Sequence, residues 1–271
     1  MIDFFNEILN LDRWMRLAHL RVKKSDFFDQ HVCDFIKKFL HLYTAYNNLT
    51  PREVVKIYSA FTSMYSKHIR LFLNTGKYPK ELNLSEEVER VEYDIVLILS
   101  ILLSTHRHKI FVNLKNVVND IKGDVAIVGV GPGLELELFE SMGIRITAYD
   151  TSISDFVKHQ YCKHKLNESY FEGGEKNYDV MFAVELLEHL YNPIEFVDLC
   201  RNSLKMGGRL ICTTATNVPQ FDHLYNFLNT ENFEKTLKRC GWEVANSEWI
   251  FHDSFDLKLE ARNNWYDLVK L

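Results

Sequence analysis

Over the first 120 positions apolar residues recur every three or four places, with polar residues between them. That spacing gathers the apolar side chains into one stripe along a helix. Helices are predicted over roughly 2–22, 26–47, 51–74, 86–104 and 107–120. At Thr50-Pro51-Arg52-Glu53 the start is explicit. A hydroxyl caps the first turn, proline fits its first position, and the glutamate can bond back to the cap. Ser85 is predicted to cap the fourth helix, with Glu86 and Glu87 favoured by the helix dipole. Residues 74–83 read as a loop.

From Asp124 the pattern changes. Short β-branched runs alternate with helix-period segments: DVAIVGV, then GLELELFESMG; IRITAYD, then SISDFVKHQYCKHK; YDVMFAV, then NPIEFVDLCRNSLKMGG; and RLICTTA. Strands alternating with helices predict an α/β fold, a parallel sheet covered on both faces. After a helix over TENFEKTLKRCGW, the runs WEVANSEWIFH and FDLKLEARN are expected to form an antiparallel hairpin at the sheet edge. Two domains follow: an all-helical N-terminal domain, 1–120, and an α/β domain, 121–271.

Composition adds bounds. The chain has 271 residues, 46% hydrophobic and 25% charged, which is ordinary for a globular protein. A net charge of −5 argues against a broad nucleic-acid-binding face. Cys33, Cys162, Cys200, Cys212 and Cys240 are scattered, without a C-x-x-C pair, as expected for buried thiols in a reducing, cytoplasmic compartment. The apolar run Ile95–Leu103 is too short to span a bilayer, and the N-terminus lacks the features of a signal peptide, so no membrane partner is expected.

The chemistry concentrates at strand ends. Gly129, Gly131 and Gly133 sit in the first strand-to-helix turn, where a missing Cβ lets the backbone approach a ligand. Asp150 ends the next strand, 21 residues after Gly129, at the distance expected of a carboxylate that accepts from ribose hydroxyls. Leu134 stands where a dinucleotide fingerprint requires glycine.

VGVGPG, AYD, YDVMFAVELLEHLYNP and NSLKMGGRLICTT, in that order, resemble the class I S-adenosylmethionine-dependent methyltransferases over about 124–263. The resemblance implies a Rossmann-like sheet with a reversed terminal hairpin and S-adenosyl-L-methionine as cofactor. Gly129, Gly131 and Gly133 would lie against its methionine and ribose, and Asp150 would hold the ribose hydroxyls. The family often places an acid two residues before the first glycine, for the methionine ammonium. Here that residue is Ile127, which shifts the task to backbone carbonyls near Ala183 or to another side chain. Glu172 is a candidate for the adenine edge, its plainer reading being an exposed loop acid.

Beyond the fourth strand, Glu185, Glu188 and His189 are spaced to share one face of a short helix. Asp222 and His223 follow in DHLY. This pattern is similar to two metal-using branches, the ubiquinone-pathway O-methyltransferases and the small-RNA 3′-terminal 2′-O-methyltransferases. It implies Glu185, Glu188, His189 and His223 as ligands of Mg²⁺, Mn²⁺, Fe²⁺ or Zn²⁺, an ion that would lower the pKa of an acceptor hydroxyl. Two other readings stay open. His189 or His223 could act as a metal-free base, with Glu185 beside it, or the acids could brace a helix and the histidines pack. His106, Arg107 and His108 at the junction of the halves could face an acidic substrate, but read more simply as a solvated hinge.

The helical half, rich in Phe and Tyr, is of a size to enclose a small methyl acceptor, and is also a candidate homodimer surface. The expected activity is transfer to a small molecule, chiefly to oxygen, in specialised metabolite biosynthesis. The alternatives are RNA-terminal ribose methylation and a non-catalytic cofactor-binding protein.

Overall fold

A computed structural model describes residues 3–84, 86–140, 142–174, 177–253 and 259–271. Among the described residues six α-helices precede the sheet: α1 (Phe4–Leu11), α2 (Arg13–Lys23), α3 (Gln30–Tyr46), α4 (Pro51–Thr75), α5 (Arg90–Leu103) and α6 (Thr105–Val118). The predicted first helix is two, because Asp12 adopts an extended backbone and its carboxylate caps α2 at Met15 N, 2.9 Å away. Thr50 and Glu53 form the expected reciprocal cap of α4. Ser85 lies outside the described residues; α5 begins at Arg90, with Glu89 as its N-cap and no side-chain cap bond. The loop before it contains a short 3-10 turn, Pro79–Leu82.

The sheet half runs β1 (Val125–Val128), α7 (Leu134–Glu140), β2 (Ile146–Asp150), α8 (Asp155–Gln160), β3 (Lys165–Glu168), β4 (Tyr178–Ala183), α9 (Pro193–Ser203), β5 (Leu204–Thr216), α10 (Thr230–Arg239), β6 (Trp242–Phe251) and β7 (Arg262–Lys270). Among the described residues its seven strands are ordered β3-β2-β1-β4-β5-β7-β6. Strands β1 to β5 are parallel, while β7 is antiparallel to both β5 and β6. The last strand is RNNWYDLVK, not the predicted FDLKLEARN, whose first four residues, Phe255 to Lys258, lie outside the described residues. Held between two strands, β7 is buried along most of its length and shows no apolar–polar alternation.

Both halves share one core. Phe39 and Tyr43 of α3 meet Phe156 of α8 edge-on, at ring-centroid distances of 5.9 and 4.8 Å. Ile95, Ile98 and Leu99 of α5 belong to the same buried cluster as Val125 and Ile127 of β1. All five cysteines are free thiols. Among the described residues no single helix is long and apolar enough to cross a membrane.

Candidate active site

Strand β1 ends in a turn whose glycines all have positive φ: Gly129 at 81°, Gly131 at 52° and Gly133 at 91°. Their reasons differ. A Cβ on Gly133 would lie 2.7 Å from Cε2 of Tyr161, so this glycine is required by packing. Gly129, Val130, Gly131 and Pro132 line a cavity of about 830 Å³; Gly133 does not. Asp150 stands at the adjoining strand end. Its Oδ2 accepts from Val130 N (2.8 Å) and Gly131 N (3.2 Å), and its Oδ1 from Ser152 N (3.0 Å). The carboxylate therefore organises the turn and also lines the cavity.

The helical half reaches this turn through α5. Arg90 donates to Gly131 O (2.6 Å) and Ser152 O (2.8 Å), and pairs with Asp94 at 3.0 Å. Tyr43 of α3 donates to the other oxygen of Asp94, at 2.8 Å. Arg90 and Asp94 were not singled out in the sequence. Their signal is two opposite charges four residues apart, the second just before the apolar stretch of a helix.

At the end of β4, Ala183 is fully buried and the cavity wall begins at Val184. Glu172 is exposed on a loop and does not line the cavity. The segment Glu185–His189 is not a helix with three ligands on one face. Only Leu187–His189 form a 3-10 turn, and Glu185 adopts a left-handed backbone with φ 53°. Its side chain lines the same cavity but is held by other partners. Oε1 accepts from Thr213 Oγ1 (2.9 Å) and Asn263 Nδ2 (2.8 Å), and Oε2 pairs with Arg107 of α6. Burial would raise the Glu185 carboxyl, but the Arg107 charge and the Thr213 bond outweigh it and hold it below the ordinary value.

Glu188, His189 and His223 do converge, their ligand atoms all lying within 4.8 Å of one another. Glu185 is outside this cluster. Glu188 is 1% exposed, its Oε2 has no hydrogen-bond partner, and burial together with Glu185 pushes it up to about 8. His223 is 3% exposed with an unpartnered Nδ1, pushed down to about 3 by burial and the neighbouring His189. Burial opposes protonation of His189, but Asp222 and Glu188 outweigh it and raise its pKa. Asp222 holds this imidazole, with its backbone oxygen 3.2 Å and its carboxylate 3.5 Å from Nδ1, and itself accepts from Tyr93 of α5 at 2.7 Å.

The junction residues are not a solvated hinge. His108 is fully buried between Ile101 O and Asp29 N. His106 stacks on His252 with ring centroids 3.6 Å apart, and both line the cavity beside Arg107. On the helical side Tyr58, Phe61, Tyr65 and Leu97 complete the wall. Glu135, in the first turn of α7, also lines it, and burial pushes its carboxyl up to about 7.

A mixed sheet of five parallel strands and an antiparallel end, with a glycine turn and a carboxylate at adjacent strand ends opening into one cavity with a polar cluster, defines a nucleoside-cofactor enzyme of the Rossmann-like kind. The chain belongs to the methyltransferase domain family, whose profile matches residues 128–268, and is a class I S-adenosylmethionine-dependent methyltransferase. It is 23% identical over 249 residues to the ubiquinone biosynthesis O-methyltransferase of Rickettsia conorii, covering 78% of this chain and 85% of that protein. To a probable S-adenosylmethionine-dependent methyltransferase of Mycolicibacterium smegmatis it is 25% identical over 153 residues, covering 52% of this chain and 60% of that one. In fold it is similar to the O-methyltransferase NcsB1 of neocarzinostatin biosynthesis (TM-score 0.55, 11% identity, 77% of this chain and 69% of that one). It is likewise similar to the pyocyanin biosynthetic protein PhzM (TM-score 0.53, 14% identity, 81% and 72%).

Proposed function

We propose that this methyltransferase acts on a hydroxyl of a small acceptor held in the cavity, assisted by a divalent ion at Glu188, His189 and His223. The observation that carries the reading is that cluster: two imidazoles and a carboxylate, two of them with buried polar atoms lacking any partner, in the same cavity as the glycine turn. Unpaired buried polar atoms cost free energy, and a ligand that satisfies them removes the cost. The donor set suits Mg²⁺, Mn²⁺, Fe²⁺ or Zn²⁺, and such an ion supplies charge that lowers the pKa of an acceptor hydroxyl. Relatives named O-methyltransferase support oxygen as the acceptor atom.

In this reading residues 1–120 are the substrate lid and 121–271 the donor-binding domain. Gly129 and Gly131 leave room for the methionine and ribose of S-adenosyl-L-methionine, and Asp150 directs a carboxylate at the ribose. S-adenosyl-L-methionine supplies a methyl carbon on a sulfonium. An acceptor oxygen would take that carbon as its bond to sulfur breaks, with the hydroxyl proton passing to a nearby base or to water. Tyr93 and Asp222 fix the His189 ring, and the apolar wall of α4 and α5 excludes water from the reacting atoms. Closure by these helices favours a small metabolite over an RNA end.

The test combines calorimetry with S-adenosylhomocysteine, metal content after purification, and methyl transfer to a panel of small hydroxyl compounds. Donor-product binding, a stoichiometric divalent ion and metal-dependent methylation of a hydroxyl are expected. Turnover that is the same in wild type and His223→Ala, with no bound metal in either, would defeat the metal assignment.

A further inference from the structure

Helix α2, RWMRLAHLRVK, buries Met15, Ala18, His19 and Val22 and carries no acid. Its other face is unusual for a chain of net charge −5. Leu17 and Leu20 are 51% and 44% exposed, and Leu11 at the end of α1 is 47% exposed. At helical spacing Arg13, Leu17, Leu20 and Lys24 share one strip, with Arg16 and Arg21 on its flanks. Arg21 is itself 55% exposed, with Asp253 3.8 Å away.

We propose that this face docks on an anionic lipid surface, the leucines entering the headgroup boundary and the arginines and Lys24 meeting lipid phosphates. Cations ringing exposed leucines are the composition that such a contact selects. The same charges disfavour a second copy, because a two-fold interface through this strip would set arginine against arginine. Exposed leucines at the centre of the strip disfavour a polyanion such as RNA, which offers them nothing apolar. Trp14 and Arg21, on one flank of α2, line the cavity, so docking sets the cavity wall beside the bilayer. If the proposed transfer reaction holds, an acceptor dissolved in lipid enters without crossing bulk water.

Co-sedimentation of the full chain with phosphatidylcholine vesicles, with and without a quarter of phosphatidylglycerol, tests this without turnover. Its failure is therefore distinct from failure of the transferase reading. Pelleting only with the anionic vesicles, weakened by added salt, is expected. Leu17→Ser with Leu20→Ser should reduce vesicle affinity by about tenfold. Arg13→Gln with Arg16→Gln should reduce it by about thirtyfold. Both pairs should keep the wild-type melting temperature and affinity for S-adenosylhomocysteine. The proposal fails if the wild type stays in the supernatant, if neutral vesicles bind it equally, or if both pairs bind as the wild type does. It fails too if sedimentation velocity shows a dimer that the leucine pair abolishes.

Discussion

The two ends of the cavity are built on opposite terms. At the glycine turn the polar groups are largely satisfied: Asp150 takes three backbone N–H groups and Arg90 spans two carbonyls. At the end of β4, Glu188 Oε2, Asp222 Oδ1 and His223 Nδ1 are buried and unpaired. One end is finished by its own backbone and needs only space for a ligand. The other leaves three buried polar atoms for a bound group to satisfy. Preorganisation supports affinity for a donor common to the family, while the unsatisfied end is where the proposed metal-assisted chemistry falls.

This contrast can be broken most forcefully at the unsatisfied end. His223→Ala should lower turnover by about 10³-fold and abolish stoichiometric metal, with affinity for S-adenosylhomocysteine unchanged. Steady-state rates, metal analysis and calorimetry read the three quantities, and an equal loss of donor-product affinity would merge the two ends. Asp150→Ala should do the reverse. Affinity for S-adenosylhomocysteine falls by about 100-fold, and unfolding in urea shows a stability loss of about 2 kcal/mol, because three backbone donors lose their acceptor.

Gly133→Ala sharpens the distinction within the turn. Its Cβ would strike Tyr161 at a positive φ, so a loss of roughly 2 kcal/mol in stability is expected. Donor-product affinity should change little in the fraction that remains folded, because Gly133 does not line the cavity.

The smallest effect concerns the helical wall common to both ends. Burial lowers the pKa of His19, bonded to Leu102 O at 2.9 Å, and of His108. Below the ordinary histidine value the unfolded chain takes up protons that the folded chain refuses, so stability falls as pH falls. The loss should begin near pH 6.5 and run at about 1 kcal/mol per pH unit. Urea midpoints across that range measure it, and His108→Gln should flatten the slope.

What could be read beforehand was what is local. The Thr50–Glu53 cap, the glycine turn and Asp150 each depend on neighbours within one turn or one strand. The break at Asp12 is also local, but an apolar stripe passing through it hid the cap. The strand β7 was misplaced because a strand buried on both faces has no alternation to detect. Its Asn263 is polar for a reason visible only in three dimensions, namely to hold Glu185. Glu185 itself was assigned to the wrong company. Spacing predicted a helical face shared with Glu188, whereas a left-handed residue and an arginine from 78 positions away turn it aside. Arg107 looked like part of a wet hinge since nothing in a chain segment reveals what packs over it.

Arg90 crossing from α5 to the carbonyls of Gly131 and Ser152 has a practical corollary for engineering. The helical segment and the sheet are poor interchangeable parts. A chimaera that imports another enzyme's lid to change acceptor preference must also import a long cation at this spot, or the donor pocket slackens before any new acceptor is tried.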